Sequence, residues 1–221
     1  MMQQVQQLID DREADYPGNL QKARELLTPA LESDAAQALP ALTEVLFWLG
    51  DYASDPAEKE KYFSEGVEVG KKAVEAAPDS VAAHLWYASN MGNHGMIRGM
   101  MSSLFYLGPI EKHGKRAAEL DETYFYAAPL RLLGRFYHQA PGWPVGSGDH
   151  KKALECLKKA VQIAPDFGFN RTYLADLYIA KNKKAEAKAL LEAVLAIPED
   201  PKIKILQQTF RKDAEALLKK V

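Results

Sequence analysis

Apolar residues recur every three or four positions along nearly the whole of this chain, the spacing that sets them on one face of an α-helix. Ala23, Leu26, Leu27, Ala30 and Leu31 form one such stripe, and Val45, Leu46, Trp48, Leu49 and Tyr52 form the next. The residues between stripes predict where helices begin and end. Residues 2–14 read as a first, polar helix, broken by Tyr16-Pro17-Gly18. Asn19 is the expected N-cap of the second helix, and Pro29 inside that helix should kink it or end it early. Pro40 suits the first turn of the third. Asp55-Pro56 opens a helix that runs to Ala77, where Pro78 stops it and Asp79 or Ser80 caps the next. At the far end Ile203, Leu206, Phe210, Ala214, Leu217 and Val221 share one face of segment 202–221, with Lys, Arg and Gln opposite.

The helices also repeat. KKAVEAAPD at 71–79, KRAAELDET at 115–123 and KKAVQIAPD at 158–166 superimpose without gaps, and LEAVLAIPE at 191–199 is a looser copy. The closing positions Pro78, Glu122, Pro165 and Pro198 lie 44, 43 and 33 residues apart. The last spacing is close to that of a tetratricopeptide (TPR) repeat, a helix pair of about 34 residues, and the longer ones carry insertions of roughly ten. Leu133-Gly134 and then Tyr137 match the first TPR helix; Ala153, Leu157, Ala160 and Pro165 match the second and its stop. A small residue at Gly134 lets the second helix come close, and Ala153, Leu157 and Ala160 fill that approach. Leu130 stands at the position of the pattern's Trp, and about seven extra residues around APGWPVG separate the two helices. Gly66 and Gly70 predict another close approach, and Ala88 takes the part of Gly134 in the second pair. Such pairs cannot bury their faces alone, so they stack into a superhelix with a concave inner face.

The insertions hold the unusual residues. The helix through His84 and Trp86 is expected to run on through a polar, Gly- and Met-rich extension, Asn90 to Ser103. Trp86, Asn90, Asn93 or His94, Ile97 and Met101 fall on one side of it. That side is either a core stripe or the wall of a pocket. Asn90, Asn93, His94 and Arg98 are odd residues for a core, because an unpaired buried polar group costs about 1–3 kcal/mol. In the third pair the concave face should carry Arg131, Arg135 and His138. Arg131 and Arg135 are like charges one turn apart, which costs roughly 0.2–0.5 kcal/mol. Compensation should come from an acid on a neighbouring helix or from an anionic ligand held by the paired guanidinium groups. Tyr124, Phe125, Tyr126, Phe136, Tyr137 and Trp143 would wall such a ligand or fill the repeat core.

Composition narrows the classes. The chain has 221 residues and is 47% hydrophobic, enough for a large core or an elongated solenoid. Its net charge of −2 is split, −8 over residues 1–150 and +6 over 151–221. The basic side chains sit at ordinary solvent-facing helix positions without interleaved aromatics, so no nucleic-acid partner is expected. The split charge would orient copies head to tail in a homo-oligomer. The single Cys156 excludes an intrachain disulfide. No apolar run is long enough to span a bilayer, and the polar, acidic start reads as no signal peptide. The histidines His84, His94, His113, His138 and His150 lack zinc spacing. Gly146-Ser147-Gly148-Asp149-His150-Lys151 lacks the spacing of a phosphate loop, and Asp149 reads better as an N-cap. No catalytic residue, metal or cofactor is expected.

HLWYASNMG, ELDETYFYAAPLRLLGRFY and PGWPVGSGDHKKAL, within residues 84–170, resemble the T-component family associated with tripartite ATP-independent periplasmic (TRAP) transporters. The same pattern is more weakly similar to the TPR-like domain of the regulator of microtubule dynamics family. The first resemblance implies a TPR-built protein with a ligand-accessible cavity, a periplasmic location, self-association and a TRAP substrate-binding protein as partner. The organic acids such systems move would suit Arg131 and Arg135.

The reading is therefore an all-α, TPR-like αα-superhelix, one solenoid with N-terminal helices over 1–40, about four repeats over 41–200 and a capping helix over 201–221. It is expected to be non-catalytic and to bind a small carboxylate or lipid-like ligand through Trp86, Asn90, His94, Arg98, Arg131, Arg135, His138 and Trp143. The alternative is a protein-interaction scaffold that takes an extended peptide or partner helix.

Overall fold

The computed structural model describes residues 1–221 as eleven α-helices and one short 3₁₀ turn. They gather into two compact units, Met1–Asp121 and Glu122–Val221. The fold class is all-α and TPR-like, as the repeat spacing predicts.

The first unit holds α1 (Met2–Asp10), α2 (Gly18–Ser33), α3 (Ala35–Tyr52), α4 (Pro56–Ala76), α5 (Val81–Arg98) and α6 (Met100–Asp121). Short polar side chains start three of them. Asp34, Asp55 and Ser80 accept from the backbone N–H groups of Gln37, Glu58 and Ala83 respectively. Leu20, Leu27, Leu46, Leu49, Phe63, Leu85 and Met91 form the buried interior. Gly66 and Gly70 mark the close approach expected of them. A Cβ on Gly66 would collide with Asn90 Oδ1, and one on Gly70 would lie 2.6 Å from the Tyr87 ring.

Four boundaries differ from the sequence expectation. The first helix ends at Asp10 rather than near 14. Asn19 lies inside α2 rather than capping it, and its side-chain amide donates to the Asp11 carbonyl at 2.9 Å. Pro29 does not end α2, which runs on to Ser33. Pro40 lies inside α3 rather than in its first turn, because the Asp34 carboxylate captures the Gln37 N–H and starts the helix earlier. The largest difference concerns the Met-rich extension. It is not one helix to Ser103: Gly99, at φ +90°, turns the chain, and α6 begins at Met100. Only glycine adopts that backbone cheaply. The insertion therefore lengthens both arms of one hairpin. Its arms meet closely, for a Cβ on Gly95 would sit 3.1 Å from Ser103 Cα.

The second unit holds α7 (Tyr124–Gln139), α8 (His150–Ile163), α9 (Gly168–Ala180), α10 (Lys184–Leu195), the 3₁₀ turn Pro201–Ile203 and α11 (Lys204–Leu218). Gly134 does what its place in the repeat demands, since a Cβ there would collide with Leu157 Cγ. Phe210, Ala214 and Leu217 of α11 seal Ala175, Leu191 and Val194, the capping role read from the final stripe. Asp149 caps α8, accepting from the N–H groups of Lys151 and Lys152. One irregularity was not foreseen: Phe125, Tyr126 and Ala127 are left-handed, at φ 43°, 57° and 59°. Non-glycine residues in that region cost of order 1–3 kcal/mol each unless their surroundings hold them there.

Candidate functional site

In a TPR pair the first helix faces inward, so in the second unit the inner face is built from α7 and α9. Arg135 of α7 donates to Asp176 of α9 at 2.9 Å, and its guanidinium lies 4.5 Å from the Tyr173 ring centroid. His138, one turn further along α7, points Nε2 at the same Asp176 oxygen at 3.5 Å. A neutral ring that donates from Nε2 carries a bare Nδ1, and His138 Nδ1 is buried without a partner. The His138 hydrogen bond, with the Arg135 charge beside it, holds the Asp176 carboxyl below the usual range against the opposing effect of burial. Asp213 of α11 lies within reach of the same charges, and burial pushes its carboxyl up. The acid expected to compensate Arg135 is thus Asp176. The resulting patch carries both signs and is partly open to solvent, with side-chain exposures of 33% for Arg135 and 25% for Asp176.

Arg131 does different work. It donates to the Tyr126 carbonyl at 2.9 Å and to Asn170 Oδ1 at 3.0 Å, and it packs over the Phe167 ring. Asn170 is fully buried, and its Nδ2 donates to the carbonyls of Tyr126, Ala160 and Ala164. Tyr126 stacks on Phe167 with ring centroids 4.6 Å apart. Arg131 and Asn170 together hold the left-handed turn. Burial draws the Arg131 pKa down to about 10, still charged at neutral pH. Trp143 is not drawn into this cluster. It stands 91% exposed on the loop between α7 and α8, and Gly148 N–H closes that loop by donating to the Pro141 carbonyl at 2.9 Å.

The first unit places Trp86, Asn90, His94 and Arg98 along α5, but at two depths. Trp86 is core, with ring centroids 4.9 Å from Phe47 and 5.3 Å from Trp48. Asn90 is fully buried and ties α5 to α3, donating to the Thr43 carbonyl at 3.1 Å and to the Trp86 carbonyl at 2.8 Å. His94 and Arg98 lie nearer the hairpin end and line a shallow cleft of about 290 Å³ with Ser102, Phe105 and Tyr106. His94 Nδ1 pairs with the Tyr106 hydroxyl at 2.9 Å, and its Nε2 is buried without a partner. Burial, then the nearby Arg98 charge, lowers the pKa of His94. Arg98 itself pairs with Glu60 of α4 at 3.6 Å.

Sequence reasoning missed Asp176, Tyr173 and Asn170. Asn170 had a signal: a single amide in the core-facing stretch GFNRTYLA, where an unpaired polar group is costly. Asp176 had none, because its partner is 41 residues away.

The family model described as regulator of microtubule dynamics protein 1-3 matches residues 1–143, and a tetratricopeptide-repeat model matches 145–209. The chain is 27% identical over 208 residues to regulator of microtubule dynamics protein 1 of Pongo abelii, covering 86% of this chain and 65% of that protein. It is 25% identical over 240 residues to regulator of microtubule dynamics protein 3 of Rattus norvegicus, covering 98% and 49%. The chain thus spans about half to two thirds of the length of these relatives. Among solved structures it is similar to TTC0263, a thermophilic TPR protein of Thermus thermophilus, at TM-score 0.67 and 21% identity over 96% of this chain and 98% of that one. MamA matches at TM-score 0.50 and 20% identity, covering 92% and 91%. At those identities the likeness is one of fold. Of the two resemblances drawn from the sequence, the weaker is the one a family model carries.

Proposed function

The chain belongs to the regulator of microtubule dynamics protein 1-3 family, and from that premise we propose that it is a non-catalytic TPR scaffold binding a protein segment on its inner face. The observation that carries this reading is the Arg135–Asp176 pair, a partly exposed surface of both signs on the helices that face inward in a TPR repeat. A peptide backbone and mixed side chains match such a patch, offering donors and acceptors together. A small carboxylate would seek unmatched positive charge, and both Arg131 and Arg135 already have protein partners. That supports a peptide over a small anion. Microtubules are the partner class the relatives' names concern, so polymerised tubulin is the first defined partner to offer.

The test is a selection of peptides from a random library on the wild-type chain, with co-sedimentation on polymerised tubulin alongside. Binders are then measured on the double variant Arg135→Gln, Asp176→Asn, which removes both charges and leaves polar amides in their place. Loss of about tenfold or more in affinity supports inner-face binding. Unchanged affinity, or no peptide and no tubulin bound at all, refutes it.

A further inference from the structure

The first unit exposes six large hydrophobic side chains, and five of them, Met96, Ile97, Met100, Met101 and Phe105, crowd the end of the α5–α6 hairpin. Met100 is 80% exposed and Phe105 79%. Methionine is the adaptable side chain of binding surfaces that meet an apolar helix, because its unbranched thioether reshapes itself to the partner. The tip is apolar within an acidic unit. Residues 1–121 hold 11 basic and 19 acidic side chains, net −8, yet residues 88–110 contain one formal charge, Arg98. The acid that reaches the tip is Glu60 of α4, which pairs with Arg98 at 3.6 Å while 45% of its side chain stays exposed.

The cleft beside the tip adds a second, independent feature. His94 is nine-tenths buried on its wall, with Nε2 unpartnered, and Arg98 and Ser102 share the lining. Its volume of about 290 Å³ lies at the low end of ligand pockets, roughly 300–1,000 Å³. That suits one side chain of a larger partner better than a whole small molecule.

We propose that the hairpin tip is a docking site for a basic amphipathic helix of a partner protein. The apolar face of that helix covers Met96, Met100, Met101 and Phe105, one side chain enters the cleft, and its Lys and Arg side chains meet Glu60 and the negative charge of this unit. Charge selects this occupant over two others. A unit of net −8 is repelled by an anionic bilayer, and two such units repel each other. The inference deepens the scaffold reading and rests on it, but uses a different surface.

Three fluorescent peptides distinguish the outcomes: a short helical Leu/Lys amphipath, its Leu/Glu counterpart, and a scrambled Leu/Lys sequence. Fluorescence anisotropy is measured on the wild type, on the triple variant Met100→Ser, Met101→Ser, Phe105→Ser, and on Arg135→Gln, Asp176→Asn. The replaced tip residues are exposed, so the triple variant should keep the wild-type helical signal, which circular dichroism checks. The expected result is binding of the Leu/Lys helix at least about tenfold tighter than of the other two, lost in the triple variant and kept in the inner-face variant. Equal binding by the triple variant, or by the Leu/Glu peptide, overturns the proposal. Binding lost only in the inner-face variant overturns it too and leaves the scaffold reading standing. If no peptide binds, and the triple variant instead abolishes co-sedimentation with phosphatidylcholine vesicles or self-association in sedimentation, the occupant is a bilayer or a second copy and the proposal falls.

Discussion

The guanidinium of Arg131 donates to Oδ1 of Asn170 at 3.0 Å, and the two side chains share the Tyr126 carbonyl. One buried amide and one guanidinium therefore satisfy a turn whose backbone is left-handed at consecutive non-glycine residues. Asn170→Ala removes every one of those amide bonds, takes away an acceptor of Arg131 and leaves a small cavity in the core. Its expected cost is about 2–4 kcal/mol, measured as a fall in unfolding free energy in urea. Arg131→Lys should also destabilise, since an ammonium cannot reproduce the fork. A cost below about 0.5 kcal/mol for Asn170→Ala would mean the turn holds itself.

Gly66 and Asn90 are coupled by contact. A Cβ on Gly66 would collide with Asn90 Oδ1, an atom that is buried and has no hydrogen-bond partner. Gly66→Ala alone should cost about 1–3 kcal/mol by overpacking. In an Asn90→Ala background the same change should cost less, because the obstructing amide is gone. A double-mutant cycle reads the difference; strict additivity would show that the two helices separate instead of clashing.

Glu44 is buried beside Trp48, whose indole N–H donates to it at 3.1 Å, and burial raises its pKa to about 7. The folded state thus holds a proton there that the unfolded chain releases near pH 4.5, so this group's contribution to stability declines as pH rises from about 4.5 to about 7 and is then flat. Trp48 should report the ionisation directly. Indole fluorescence is expected to show a transition with its midpoint near pH 7 in the wild type and none in Glu44→Gln. A midpoint in the ordinary carboxylate range would contradict the burial argument.

The pair His84 and His113 acts in the opposite direction. His84 Nε2 donates to the Pro78 carbonyl at 2.9 Å, which leaves its Nδ1 to accept from His113 Nδ1 at 2.8 Å. His84 must be neutral to accept that bond, and burial favours the neutral form of His113 as well. Burial, joined by the neighbouring His84, lowers His113 to about 4, and burial lowers His84 as well. The unfolded chain binds protons on these rings first, so their contribution to stability is lost as pH falls from about 6.5 towards about 4. NMR titration of the imidazole carbons should find His113 neutral down to that range; ordinary titration near pH 6.5 would rule out the pair as drawn.

The sequence made the architecture legible because the TPR pattern is a local packing rule. Gly134 against Leu157 and Phe210 over the last repeat follow from small and large residues at fixed offsets. Pro40 misled because a proline near a helix start is only a local preference and Asp34 offered an earlier cap, and Asn19 misled because its amide goes to the Asp11 carbonyl while α2 already starts at Gly18. The inner face was half legible. Arg135 and His138 were placed on it by register, but Asp176 comes from another helix, and nothing local distinguishes a ligand from an acid as the neutralising partner. Arg131 was misjudged for the same reason, since the left-handed turn it serves has no glycine to announce it.

The methionines at the hairpin tip make its stickiness chemically revocable. Met96, Met100 and Met101 are 68%, 80% and 69% exposed, so peroxide reaches these side chains without any unfolding. Each sulfoxide would replace an apolar, pliable contact with a polar and chiral one, and reductases restore it. A surface made of leucine would grip as well and could not be switched off by oxidants.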